Sequence, residues 1–207
     1  MRIDEGIARI FTTLFHPLIM PTLSYFVLFQ LNTFVSFAVS AEAKRFIMVI
    51  VFINTAVLPA LAIWIMKKTG YVTDYMLSER SERLLPLFLA SALFFITHYM
   101  LRQVSLPSLV NFYMISATLL VLLTLIISFV WKISIHMVAL GGFSGFLIIT
   151  SLFLRLDIAW LIAAAFLVSG ITGSARLVLK AHTPAQVYVG YLLGLLVMIG
   201  LFFYFRG

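Results

Sequence analysis

At 207 residues the chain has room for one domain or two small ones, and with 63% hydrophobic and 10% charged residues it cannot cover itself with a polar surface, which excludes a soluble globular domain. The absence of cysteine excludes disulfides, thiolate catalysis and thiolate metal sites. The formal charge of +7 comes from basic residues in short segments beside apolar runs, so anionic lipid, and not nucleic acid, is the expected partner.

Long apolar runs without period-two alternation predict membrane-spanning helices of about 20 residues, not strands of a barrel. The opening segment, MRIDEGIARIFTTLFHP, has no small-residue cleavage site and is not read as a signal peptide. Its His16, in a His-Pro pair, is read as structural. A first span is expected over 17–39 and a second over 45–66, closed by Lys67 and Lys68 as headgroup anchors. The others are expected over 85–103, 107–131, 136–154, 157–174 and 184–205. His98, inside the third, is also read as structural. The connections between 85 and 174 are short, which predicts antiparallel neighbours, with Arg155 and Asp157 in a turn. Trp64, Tyr71, Trp131 and Tyr204 fall near span ends, where aromatic belts form. The expectation is an all-α, polytopic membrane helix bundle of six to seven transmembrane helices, folded as a single domain over 1–207.

If every span crosses the membrane once, the N-terminus and the connections 67–84, 132–135 and 175–183 lie on one face. Three of these carry polar clusters: LSERSERLLP (77–86), WKISIH (131–136) and ARLVLKAH (175–182). That face has nine basic residues, namely Arg2, Arg9, Lys67, Lys68, Arg80, Arg83, Lys132, Arg176 and Lys180, against Lys44, Arg45, Arg102, Arg155 and Arg206 on the other. Setting aside Arg80, Arg83, Arg176 and Lys180 as site residues leaves five on each side, so the positive-inside rule assigns no face.

The cluster combines arginines, lysines and two histidines with Ser134. Guanidinium forks suit phosphate oxygens, and paired histidines suit a nucleophile and a general acid. No carboxylate pair adjoins the histidines, which disfavours a two-metal site. The set fits phosphoryl transfer in which arginines take the electrostatic role of a metal ion.

In these residues the chain resembles the type-2 phosphatidic acid phosphatase superfamily, membrane phosphatases of lipid phosphates. That family carries Lys, six residues, Arg-Pro; then Pro-Ser-Gly-His; then Ser-Arg, five residues, His, three residues, Asp. Here Arg176 precedes His182 by five intervening residues, ISIH at 133–136 keeps Ser134 and His136, and RSERLLP at 80–86 stands near the first motif's place. The order holds over about residues 80–194. The resemblance implies a metal-independent, cofactor-free hydrolase in a plasma membrane, with a bacterial inner membrane the expected one. It implies His182 as nucleophile, His136 as general acid, and Arg80, Arg83, Ser134 and Arg176 as phosphate-binding groups. The substrate would be a lipid phosphate or diphosphate of the phosphatidic acid, phosphatidylglycerol phosphate, polyprenyl diphosphate or lipid A class, its tail lying between helices.

The pattern departs from the family at several positions. Met76 stands where the first-motif lysine is expected, Ile133 and Ile135 replace proline and glycine, and Ala175 replaces the third-motif serine. Gln186 stands at the aspartate position, where a carboxylate orients the histidine and stabilises its charged form. Gln186 is therefore expected to orient His182 more weakly, with Glu79 or Glu82 as substitutes, or to act only as the last residue of a T-x-x-Q capping box begun by Thr183. A non-catalytic lipid-phosphate binder or transporter on the same scaffold is the alternative, and haem ligation by His136 and His182 a weaker one. Gly141 and Gly145, and Gly190 and Gly194, have G-x-x-x-G spacing, which predicts that the fifth and last spans pack closely and bring His136 towards His182.

Overall fold

The computed structural model describes residues 5–77 and 79–206. Arg2, counted above among the basic residues, and Ser78 of the 77–86 stretch lie outside the described residues. The described residues form helices and connections only: α1 (Glu5–Leu14), α2 (Met20–Gln30), α3 (Phe34–Phe37), α4 (Ala41–Phe52), α5 (Leu58–Lys68), α6 (Leu84–Arg102), α7 (Ser108–Ser128), α8 (Ile135–Leu154), α9 (Ala159–Val178) and α10 (Pro184–Arg206). A π-helical turn, Ile53–Val57, joins α4 to α5, and a 3-10 turn, Ser81–Arg83, leads into α6. Six continuous helical stretches are long and apolar enough to cross a membrane: Ala41–Lys68, Ser81–Arg102, Ser108–Ser128, Ile135–Leu154, Ala159–Val178 and Pro184–Phe205. The chain is an integral, multi-pass helical membrane protein.

The expected span over 17–39 is not one helix. It breaks at residues 31–33, between α2 and α3. Thr33 is extended and caps α3, its hydroxyl accepting from the Ser36 N–H at 3.2 Å. Ser36 then donates to the Phe29 carbonyl at 2.7 Å and accepts from Lys44 Nζ at 2.9 Å. Hydropathy alone passes over such a break, because the capping residues are few among many apolar ones.

The chain divides into two compact units, Met1–Met20 with Lys132–Gly207, and Pro21–Trp131. In the second, α6 and α7 pack together. Tyr25, fully buried, donates to the Val110 carbonyl at 2.8 Å and sets its ring edge-on against Tyr113. The π turn has a sequence cause. Pro59 has no N–H and its ring crowds the carbonyl four residues back, so the helix widens before it and Leu58 N–H reaches Ile53 O. At the end of α5, Lys68 lies over Trp64 and Lys67 over Tyr75, as interfacial anchors do.

In the first unit α8 is the centre. It packs most closely against α10 and also against α9, while α1 lies on α9. The glycines make this possible. A Cβ on Gly194 would collide with the Val138 carbonyl oxygen and stand 2.6 Å from the Gly142 nitrogen; one on Gly141 would collide with the Tyr191 carbonyl oxygen. Gly190 likewise lies against the Ser134 carbonyl and Met137. Backbone thus meets backbone along the α8–α10 seam, the close approach that G-x-x-x-G allows in lipid.

Candidate functional site: a buried arginine, a buried serine and three histidines

α9 ends just after Arg176 by a hydrogen-bonded reversal. Ala181 N–H reaches the Arg176 carbonyl at 3.1 Å and Lys180 N–H the Leu177 carbonyl at 3.0 Å, a Schellman closure with Lys180 at φ +50°. α5 ends in the same way with Gly70 at the left-handed position. A lysine there costs about 1–2 kcal/mol of backbone strain. The reversal leaves three residues before Pro184 opens α10, and His182 is the middle one.

Gln186 does both of the things that its position suggested, at once. Its Oε1 accepts from the Thr183 backbone N–H at 3.2 Å, while the Thr183 hydroxyl accepts from the Gln186 N–H at 3.5 Å, closing the capping box. The same Oε1 lies 3.0 Å from His182 Nδ1. A backbone N–H can only donate, which identifies that side-chain atom as the carbonyl oxygen; a carbonyl oxygen can only accept, so Nδ1 carries a proton, and in the neutral ring Nε2 carries the lone pair. That is the tautomer a histidine nucleophile needs. The Gln186 backbone carbonyl also accepts from Ser134 N–H at 3.3 Å, which ties the start of α8 to the start of α10. Glu82, considered above as a substitute orienter, instead closes its own loop, accepting from Thr73 N–H at 3.0 Å and the Thr73 hydroxyl at 3.2 Å.

His136, in the first turn of α8, is held from the other side. Its Nε2 lies 3.2 Å from the Thr12 carbonyl oxygen, so by the same reasoning Nε2 is protonated and Nδ1 faces elsewhere. Thr12 is fully buried in α1. Beyond α1 comes His16, whose ring packs edge-on against His136 with centroids 5.2 Å apart and whose Nδ1 accepts from the Leu18 N–H. The charges of Arg176, His16 and His182 all act on His136, so the four belong to one cluster.

The sequence reads His16 as structural; the structure adds that its ring packs against His136. No local signal marks it: its motif is only His-Pro, and the packing of α1 on α9 brings it in. Burial, and then the positive charge of Arg176, push His16 down to about 4 from an ordinary 6.5. Its folded value lies below its unfolded one, so its contribution to stability is complete above about pH 6.5 and is lost as the pH falls towards 4. Between pH 7.5 and 4.5 the wild type should lose about 2 kcal/mol more than His16→Gln, measured by thermal unfolding in detergent.

Ser134 is fully buried and Arg176 is 3% exposed. Among the described residues Ser134 Oγ and Arg176 Nε have no hydrogen-bond partner, and no carboxylate forms an ion pair with Arg176. A buried guanidinium without a counter-charge is costly. Arg176 acts electrostatically on His136, and the Ser134 hydroxyl lies two residues before that histidine in the chain. Among the described residues no group of three or more His, Cys, Asp or Glu side chains is arranged to hold a metal ion.

Arg80 and Arg83 belong to the second unit. Arg83 is buried, its Nε donating to the Leu77 carbonyl at 2.7 Å, with Leu77 at φ +52°. Arg80 is exposed and donates from Nη1 to the Phe129 carbonyl at 2.8 Å, at the end of α7. That bond alone accounts for Arg80, since a cation beside terminal helix carbonyls is favourable.

Comparison with known proteins brings no match: no family model, no curated protein and no solved structure is similar to this chain.

Proposed function

We propose that this membrane protein hydrolyses a lipid phosphate or diphosphate without a metal ion, through a phosphohistidine on His182. The observation that carries the reading is the pair of buried polar groups without hydrogen-bond partners, Arg176 Nε and Ser134 Oγ, in the unit where His182 and His136 are each held through one ring nitrogen. His182 Nε2 attacks phosphorus as the bond to the lipid oxygen breaks. The leaving oxygen takes a proton from His136. Because the Thr12 carbonyl occupies His136 Nε2–H, that proton resides on Nδ1. Water then attacks the phosphohistidine, His136 Nδ1 takes its proton, and phosphate leaves with His182 Nε2 restored. Arg176 and Ser134 bind the phosphoryl oxygens throughout, where their donors stabilise charge developing in the transition state. A plasma membrane, the bacterial inner membrane in particular, is the proposed location.

Phosphate release from a panel of lipid phosphates and diphosphates, with a chelator present, tests the reading. Release that persists in the chelator supports it, and no release from any lipid overturns it.

One feature favours the second reading, a lipid-phosphate binder or transporter. Gln186 supplies the correct tautomer but no negative charge for the imidazolium-like ring of a phosphohistidine. The two readings divide at Gln186→Glu, which keeps the length needed for both of Oε1's hydrogen bonds. In an enzyme the added charge should raise kcat about tenfold, the weight of one partly buried charge interaction. Gln186→Leu, losing tautomer control and cap together, should lower it about 10²–10³-fold. A binder shows no turnover in either variant.

A further inference from the structure

α1 has three faces of different chemistry. Ile7, Ile10 and Leu14 share one face by their spacing and are 49%, 58% and 61% exposed. Glu5, Arg9 and Thr13, spaced by four, are exposed on a second face, where the Thr13 hydroxyl donates to the Arg9 carbonyl at 2.9 Å. Ala8 and Thr12 form the third face and are fully buried, with α1 packed on α9.

This helix is too short to cross a membrane. Its ten residues rise about 15 Å, half of a hydrocarbon core of about 30 Å, and it lies outside the six spanning stretches. Water is a poor environment for the Ile7, Ile10 and Leu14 side chains, and hydrocarbon a worse one for Glu5 and Arg9. The boundary between lipid and water suits both exposed faces at once. The buried face has a second task. The Thr12 carbonyl oxygen lies 3.2 Å from His136 Nε2, and His16, two residues past the end of α1, sets its ring against His136.

We propose that α1 lies in the membrane interface with Ile7, Ile10 and Leu14 in lipid, and that this anchorage keeps the Thr12 carbonyl on His136. The occupant of the exposed apolar face is lipid and not a second copy of the chain for two reasons. α9, on which α1 packs, is a membrane-spanning helix, which sets α1 beside lipid. Three aliphatic side chains also offer far less area than the roughly 800 Å² per partner of a stable protein interface. The inference does not depend on the phosphatase reading. Under that reading, the lipid surface itself holds the tautomer of the general acid.

The test uses the whole protein in lipid nanodiscs. The chain has no cysteine, so Ile10→Cys, Leu14→Cys, Arg9→Cys and Thr13→Cys each give one site for a nitroxide label. Relaxation by oxygen, which concentrates in lipid, is compared with relaxation by a water-soluble nickel chelate. Their ratio should be at least about threefold higher at positions 10 and 14 than at 9 and 13. Equal ratios at all four positions would overturn the proposal, and so would spin–spin broadening at 10 and 14, which would place a second copy there. The link to His136 is read without turnover from the ¹⁵N spectrum of histidine-labelled protein, with the His136 signals assigned by their loss in His136→Gln. Nε2 should appear protonated in the wild type and in Thr13→Glu, and should move towards a mixture of tautomers in Ile10→Glu, where a charge takes the apolar face out of lipid. An Nε2 signal unchanged in Ile10→Glu would overturn the coupling between lipid and His136.

Discussion

If the phosphatase reading holds, His182→Ala should abolish phosphate release, a fall of at least about 10⁴-fold, and should remove the acid-labile, alkali-stable phosphoryl label expected of the wild type with a radiolabelled lipid phosphate. The size follows from the role. A nucleophile that forms the covalent intermediate has no neighbour able to replace it: His136 is bonded to Thr12 through Nε2, and His16 is engaged by the Leu18 N–H through Nδ1. The substitution should leave the protein folded, because Gln186 Oε1 retains its bond from the Thr183 N–H and the capping box survives. Arg176 and Ser134 also remain, so lipid-phosphate binding should persist while turnover does not. Phosphate release undiminished in His182→Ala, or a label of wild-type intensity, would sink the covalent mechanism. An equal loss of binding and turnover would assign His182 to headgroup binding instead.

The largest structural effect belongs to a position far less conspicuous. Gly194→Ala adds one methyl group, but the methyl has to occupy the place of the Val138 carbonyl oxygen and crowd the backbone of Gly141 and Gly142. Nothing flexible stands there to move aside, so α8 and α10 must separate. Overpacking of this kind costs about 3 kcal/mol or more. Gly200→Ala, on the same helix with nothing within 4 Å, should cost a few tenths at most. Thermal unfolding in detergent compares the two directly. The consequence reaches the site, since the seam holds Ser134 N–H on the Gln186 carbonyl. Gly194→Ala should therefore also reduce activity below its unfolding temperature, and equal melting temperatures for the two variants would refute the backbone-on-backbone seam.

Much of this was legible in the sequence. Composition and long apolar runs determined an all-helical, multi-pass membrane protein, because lipid admits few other ways of satisfying a backbone. The bounds of the six long helices were readable to within a few residues, except that the helix from Ala41 runs four residues ahead of its expected start, Ser81–Arg83 extends the next one backwards and the helix ending at Val178 runs four residues past its expected end. The G-x-x-x-G pairs on α8 and α10 marked the seam, and Thr183-Pro184 with Gln186 marked the start of α10. These are local signals, set by residues within a turn or two of one another.

What the sequence could not decide was anything that depends on atoms distant in the chain. The break within 17–39 was hidden by its hydropathy, since a single Thr33 cap outweighs the apolar residues around it. Capping and His182 orientation looked like alternatives for Gln186, and became one arrangement only when Oε1 had a position relative to both donors. His16 and Thr12 carried no motif and entered the cluster because α1 packs on α9, which brings the Thr12 carbonyl to hydrogen-bonding distance of His136 and the His16 ring edge-on against it. The chain's own pattern thus determined which residues could do chemistry. Tertiary packing decided which of them meet, because a helix presents its side chains by local geometry but acquires its neighbours only from the fold.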